Sequence, residues 1–412
     1  MRNSIKKTSQ ITEQRSQGRN LVFSHIRNNF QVARIDIANA TGMSPATVTS
    51  ITAELIAAGL IEEVQREVEP GQSKRGRPRV DLKLRGESHI VAGMKLTGRS
   101  ISAVVLDLEG KQLGKAKVPM PRPPIDRAAL CKLIPQVVET VSAAAGIKPE
   151  DLSAVGIGLP GTIQATEGFV DWCPLFQEQE FNLKQLMEEI MPMPVFVEND
   201  ANAVAIAELW FGFGRDVPDF LVVTIEQGVG LGIVLDGEIF RGTQGFGAEF
   251  GHTKVQSEGA LCRCGQRGCL EAYVADYALL REANLFKHWE EGTSEEDRLV
   301  QLFAAAKEGD RMAKSIFDRA SRMFSMGLAN LVNLFDPAMV ILSGEQMQFD
   351  YLYAQQVFDM VRSSTILKGH HEPEIRIHKW GDMMWAKGAA AFALEEVVRI
   401  SLDQLGSAET SA

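Results

Sequence analysis

GMKLTGRSISAVVLDLEG, residues 93–110, reads as two strands joined by a tight turn at Thr97-Gly98-Arg99, since apolar and β-branched residues fill both halves and glycine punctuates them. Working outward, HIVAGMKLT (89–97), SISAVVLDLEG (100–110) and KQLGKAKVPM (111–120) give three successive strands. DRAALCKLIPQVVETVSAAAG (126–146) then has the period of a helix, and LSAVGIGLPG (152–161) that of a strand entering a glycine turn. PVFVEND (194–200) is a strand running into the helix ANAVAIAELWFG (201–212). A similar order recurs downstream. DFLVVTIEQGVGLGIVLDGEIFRG (219–242) is a hairpin, roughly 272–335 is helical, AMVILSGE (338–345) and EIRIHKW (374–380) are strands, and WAKGAAAFALEEVVR (385–399) is a helix. Alternation of this kind implies an α/β fold, duplicated as two lobes with a cleft between them.

The 412 residues are 45% hydrophobic and 23% charged, the composition of a globular chain with two or three folding units. No continuous apolar run approaches the roughly 18–20 residues of a membrane span, and the N-terminus lacks the apolar core of a signal peptide. A cytoplasmic protein without a membrane partner is expected. The net charge of −10 conceals an asymmetry: residues 1–86 carry 14 Lys and Arg against 8 Asp and Glu, net +6, and the remainder 29 against 45, net −16. A basic head on an acidic body suggests a nucleic-acid-binding module joined to something else.

Pattern sharpens that suggestion. RNLVFSHIRNN places Leu21, Val22, Ile26 and the following Phe30 at helical spacing, and RIDIANATG is a second helix ended by Gly42. Ser44 then supplies an N-cap and Pro45 a first-turn residue for a third helix with Val48, Ile51, Leu55 and Ile56 on its apolar face. Ser44, Ala46, Thr47, Thr49 and Ser50 are left on its outer front, small enough to approach base edges in a major groove. LIEEVQREV and RVDLKLR read as strands flanking a Gly/Pro loop that carries Lys74, Arg75 and Arg77, with Arg79 adjoining. The whole is a helix-turn-helix with a basic wing suited to DNA phosphates, and it resembles the winged-helix heads of MarR-like repressors.

Three of the five cysteines fall within eight residues. His252, Cys262, Cys264 and Cys269 supply three thiolates and an imidazole, enough to close a tetrahedral zinc site of structural kind. Gly265 and Gly268 let the loop turn tightly.

GLPG (158–161), VENDANAVAIAE (197–208), GVGLGIVLDGEIFRG (228–242), GFGAEFGH (245–252) and CRCGQRGCLEAY (262–273) together resemble the ROK family of repressors, open reading frames and kinases, over residues 88–396. The resemblance implies an actin-like, ribonuclease-H-type two-lobe body, and head plus body resemble the family's repressor branch. It also implies a monosaccharide site at Asn199, Asp200, Glu249, His252 and Glu271, near Gly161, with Asp200 at the position of a kinase's base. The family's phosphate loops are altered. Lys95 stands where an acid would order the metal, Thr97 and Arg99 flank Gly98 in place of a Gly-Gly-Thr turn, Glu226-Gln227 replace Gly-Thr, and Gly344-Glu345-Gln346 replace a triple glycine. The chain is expected to comprise a flexible tail (1–18), a winged helix-turn-helix (19–86), a sugar-sensing body with two lobes and a zinc loop (87–400) and a second flexible tail (401–412). A homodimeric or homotetrameric, non-enzymatic, sugar-responsive repressor of operator DNA follows, with a sugar kinase bearing an appended head as the alternative.

Overall fold

A computed structural model describes residues 2–65, 80–245, 247–366, 372–379 and 383–410. The chain divides into two units, Met1–Leu159 with Ala165–Glu198 and Trp385–Ala412, and Pro160–Gln164 with Asn199–Met384.

The first unit opens with α1 (Arg2–Asn29), β1 (Val32–Ala33), α2 (Arg34–Thr41), α3 (Pro45–Ala57), β2 (Ile61–Gln65) and β3 (Val80–Leu84), the strands forming an antiparallel sheet of order β1-β3-β2. Gly42, at φ 70°, stops α2 in the left-handed region, and the Ser44 hydroxyl accepts from the Thr47 amide at 3.1 Å to start α3. Val22, Phe23, Ile26, Ile37, Val48, Ile51, Leu55 and Leu82 form a core belonging to this head. Leu21 and Phe30, expected on the apolar face of α1, are exposed, and Phe23 is buried instead. The expected tail 1–18 is also corrected, because α1 runs as helix from Arg2. Lys74, Arg75, Arg77 and Arg79 lie outside the described residues.

Next come β4 (Ile90–Leu96), β5 (Ser100–Asp107), β6 (Gln112–Pro119), α4 (Arg127–Ala145), β7 (Ala154–Leu159), then β8 (Thr162–Gln164), which belongs to the second unit, and β9 (Phe169–Trp172), β10 (Phe181–Asn182), α5 (Leu183–Glu188) and β11 (Val195–Asn199), whose last residue belongs to the second unit too. One five-stranded sheet has the order β6-β5-β4-β7-β11, with β4 antiparallel to β5 and parallel to β7. The short strands β8 to β10 were not anticipated. Among the described residues α4 is the one helix long and apolar enough to cross a membrane by length and composition alone. Its face of Leu130, Ile134, Val137, Val138 and Val141 is buried, and the helix packs on β5 and β6.

The second unit carries α6 (Asp200–Phe211), β12 (Phe220–Ile225), β13 (Val229–Leu235), β14 (Glu238–Ile239), α7 (Glu271–Val274), α8 (Asp276–Ala283), α9 (Glu295–Lys307), α10 (Arg311–Phe335), β15 (Met339–Ser343), α11 (Gln355–Ser364) and β16 (Glu374–Ile377). Its sheet, β14-β13-β12-β15-β16, repeats the plan of the first: the opening strand is central, antiparallel to the second and parallel to the fourth. The duplication expected from sequence is therefore present in strand order.

The chain returns to the first unit in α12 (Met383–Thr410), which is helical through residues 401–410, expected to be a flexible tail. Two glycines admit α12 to the sheet. A Cβ at Gly93 would meet Ala386 O and Ala390 N, and one at Gly156 would meet Ala389 O, so helix backbone lies directly on strands β4 and β7. Gly156→Ala is expected to lower unfolding stability by about 1–3 kcal/mol, as overpacking does, measured by urea denaturation.

Candidate functional site

The site is built on the second unit. At the start of α6 the Asn199 side chain caps the helix: its Oδ1 accepts from the Ala201 amide at 2.9 Å and the Asn202 amide at 3.3 Å, and its Nδ2 donates to Gly161 O at 2.9 Å. Gly161 itself is at φ 113°. Asn199 thus acts as the N-cap of α6. It fixes the first turn of α6 and with it the half-buried Asp200, the helix's first residue.

Glu249 and His252 come from a turn that packs on β13, where a Cβ at Gly251 would run into Val229 O. Glu271 opens α7, buried, with Oε2 accepting from the Val229 amide at 3.3 Å and Oε1 from the Tyr277 hydroxyl at 3.3 Å. Glu249 is crowded by protein although 55% of its side chain stays accessible. That desolvation pushes its carboxyl above the usual range, His252 opposes the shift, and the charges of Glu271 and Asp200 add to it. Three carboxylates and an imidazole from separate stretches of chain therefore share one electrostatic neighbourhood. Such a set can accept hydrogen bonds from adjacent hydroxyls of a polyol.

Beside it, one ligand atom from each of His252, Cys262, Cys264 and Cys269 lies within 4.8 Å of the others, a cluster that could hold a metal ion. His252 Nδ1 is 3.7 Å from Cys262 Sγ, and Cys264 Sγ is 3.7 Å from Cys269 Sγ. A tetrahedron with metal–sulfur bonds of about 2.3 Å has edges of about 3.8 Å, so the donors fit the group. The other ring nitrogen of His252, Nε2, faces Glu249 Oε2 at 3.9 Å, so one imidazole joins the two clusters. Gly265 and Gly268, at φ 85° and 77°, make the turns between the cysteines. Burial pushes the Cys262 thiol up to about 12, with Glu271 contributing. At Cys264 burial acts in the same sense, but the Gln266 amide, the two neighbouring thiols and the Lys254 ammonium outweigh it and lower the thiol.

Three side chains that sequence reasoning missed hold this loop. Lys254 Nζ donates to His252 O, Gln266 Oε1 and Cys269 Sγ at 2.8, 2.6 and 3.0 Å. Tyr277, on α8, lies 3.5 Å from Cys262 Sγ through its hydroxyl and under the Arg263 guanidinium at 3.9 Å. Arg281, one turn further on, donates to Leu261 O and Ala272 O. Nothing in the spacing of Tyr277 and Arg281 distinguishes them from ordinary residues of a helix, and Lys254 is a single lysine in a loop.

The three stretches around Thr97, Glu226 and Gly344 are held by hydrogen bonds within the chain. Thr97 Oγ1 accepts from the amides of Arg99 at 3.3 Å and Ser100 at 3.0 Å, so the donors at the tip of the first turn are satisfied by their own chain. Lys95 is buried with its ammonium 3.8 Å from the centre of the Trp385 ring. In the second loop the Glu226 amide donates to Gly228 O, while Gln227 is exposed. In the third, Gln346 is buried, donating to Asp276 Oδ1 and accepting from the Tyr351 hydroxyl at 3.1 Å. In the head, the N-cap Ser44 and Ala46, Thr47, Thr49 and Ser50 of α3 are all exposed.

Several known proteins are similar to this chain. The chain is 28% identical over 389 residues to the xylose repressor of Caldicellulosiruptor bescii, an alignment covering 92% of this chain and 95% of that one. A solved ROK family transcriptional regulator, described as a homologue of the E. coli MLC protein, superposes with a TM-score of 0.76 at 26% identity, covering 95% of this chain and 99% of that chain. The ROK hexokinase of Thermus thermophilus gives a TM-score of 0.64 at 32% identity, covering 75% of this chain and 99% of that chain. The ROK family pattern itself spans residues 91–396, beginning just after the three-helix head, and on that match the chain belongs to the ROK family.

Proposed function

We propose that this protein is a sugar-responsive transcriptional repressor: a winged helix-turn-helix head binds operator DNA, and a kinase-like body binds a monosaccharide without phosphorylating it. The observation that carries this reading is the front of α3, five small exposed residues from Ser44 to Ser50 on a head with its own core, outside the stretch the family pattern covers. Regulators match the chain over 92% and 95% of its length, the hexokinase over 75%, which supports the same division of labour. With one such head per chain, a symmetric dimer or a pair of dimers reads half-sites whole helical turns apart.

In the body, Asp200, Glu249, His252 and Glu271 accept from and donate to sugar hydroxyls, with Asn199 and Gly161 fixing the turn beneath Asp200. Zinc is the ion that His252 and the three cysteines hold; when bound it is structural, supplying no chemistry to the sugar. His252 is kept in one orientation by sharing its ring between the thiolates and Glu249. The amides of Arg99 and Ser100, turned onto Thr97, offer nothing to a phosphoryl donor, and Lys95 under Trp385 replaces the acid that would order its metal. Asp200 is then an acceptor rather than a base.

The test is a thermal-shift panel of neutral monosaccharides, followed by titration of the sugar that raises the melting temperature most. Asp200→Asn is expected to bind it about 10- to 100-fold more weakly, the worth of a hydrogen bond to a charged acceptor. No ATP is consumed in its presence; sugar-dependent ATP consumption by the wild type, absent in Asp200→Asn, makes the protein a kinase with an added head.

A further inference from the structure

Arg19 is almost wholly buried, at 1% exposure, yet it belongs to no site described above. Its Nε donates to Glu54 Oε2 on α3 at 2.8 Å, Arg15 Nη2 reaches Glu54 Oε1 at 2.5 Å, and Ser50 Oγ donates to that same oxygen at 3.3 Å. Between the two arginines Gly18 brings α1 against α3, with Ile51 Cδ1 3.3 Å from where its Cβ would stand. Glu54 is therefore an ionic clamp between α1 and α3, one helical turn after Ser50, the last of the five residues proposed to face DNA. Burial acts to raise its carboxyl, but the two guanidiniums prevail and hold it below the usual range.

A second helix ends on the same arginine. Arg19 Nη1 lies 3.2 Å from where a Cβ of Gly406 would stand, so the C-terminal part of α12 touches the guanidinium that fixes α3. The other end of α12 is pinned to the body, by Gly93 and Gly156 on its backbone and by Lys95 under Trp385. Its first two residues, Met383 and Met384, belong to the unit that carries the carboxylate and cysteine clusters. A continuous helix of 28 residues is about 42 Å of stiff rod.

We infer that Arg19 is a positioning residue for DNA reading, through which α12 sets the orientation of α3 and hence the head's choice of sequence. The inference rests on the DNA-binding role proposed for α3. Neither Arg19 nor Gly406 is exposed to a phosphate in this scheme, so disturbing them alters discrimination between sequences and leaves the electrostatic part of binding in place.

The test uses the full-length protein, the duplex it enriches from a randomised library, and a scrambled duplex of equal length. Gly406→Leu keeps a good helix former in α12 but thrusts a side chain at Arg19. It is expected to lower the preference for the enriched duplex by roughly tenfold, on the scale of one charge-assisted hydrogen bond, with scrambled-duplex affinity, its salt slope and the melting temperature unchanged. Glu54→Gln and Arg19→Lys, which keep size or charge but lose the paired geometry, are expected to shift preference in the same direction. Unchanged preference in Gly406→Leu, or equal loss on both duplexes, overturns the inference and leaves the DNA-binding role standing. A wild-type protein that enriches no duplex removes both.

Discussion

Protein purified without chelator is expected to carry one zinc ion per chain, and the double substitution Cys262→Ser, Cys264→Ser to carry none. The donor atoms of His252, Cys262, Cys264 and Cys269 already stand within 4.8 Å of one another, with sulfur–sulfur and sulfur–nitrogen separations of 3.7 Å, so little rearrangement opposes binding. An ion held at a hundred times its dissociation constant contributes about 2.7 kcal/mol to the folded state. For units of this size that corresponds to a fall in melting temperature of roughly 5–10 °C on its loss. Sugar binding falls with it, because Glu271 shares Tyr277 with Cys262 and His252 joins both clusters. Elemental analysis decides: stoichiometric zinc persisting in the double mutant sinks the assignment, and metal loss with undiminished sugar binding separates the two clusters.

Removing residues 1–86 is expected to abolish binding to the enriched duplex while the body still binds its monosaccharide. The head holds a core of its own around Val22, Ile37, Val48, Ile51 and Leu82, so the cut leaves the body's sheets intact. What remains carries a net charge of −16 and repels DNA. Within the whole chain, replacing Arg75, Arg77 and Arg79 by alanine is expected to flatten the salt dependence by up to about 3 in log–log slope if each meets one phosphate. Fluorescence anisotropy across a salt series measures both, and DNA binding by the truncated body at wild-type affinity rules out the head as reader.

Much of this was legible in the sequence because it depends on local rules. Short, nearly continuous apolar runs such as IVAGMKL and ISAVVLD, ended by turn residues, are strands buried on both faces, and Ser44-Pro45 starts a helix through the hydroxyl that caps it. Thiolates and an imidazole spaced as in residues 252–269 point to a metal, and the fold brings their ligand atoms within 4.8 Å of one another, a cluster that could hold one. The two sheets share one strand order because the same succession of elements occurs twice along the chain.

Tertiary structure decided the rest. Leu21, Val22 and Phe23 are consecutive apolar residues spanning more of a helix than one contact can cover, and only the docking of α1 on α3 determines that Val22 and Phe23 turn inward and Leu21 outward. The ends of the chain looked like tails because their polar composition makes an isolated helix marginal; instead they extend helices nucleated elsewhere. Asn199 could cap a helix or meet a ligand, and the cap and the Gly161 carbonyl occupy its amide. Tyr277 beneath the cysteine loop and Arg19 between Glu54 and Gly406 are contacts between residues far apart in the chain. They are absent from local pattern because a side chain's partner is set by which elements the fold brings to it, while the sequence fixes only the elements and the groups they carry.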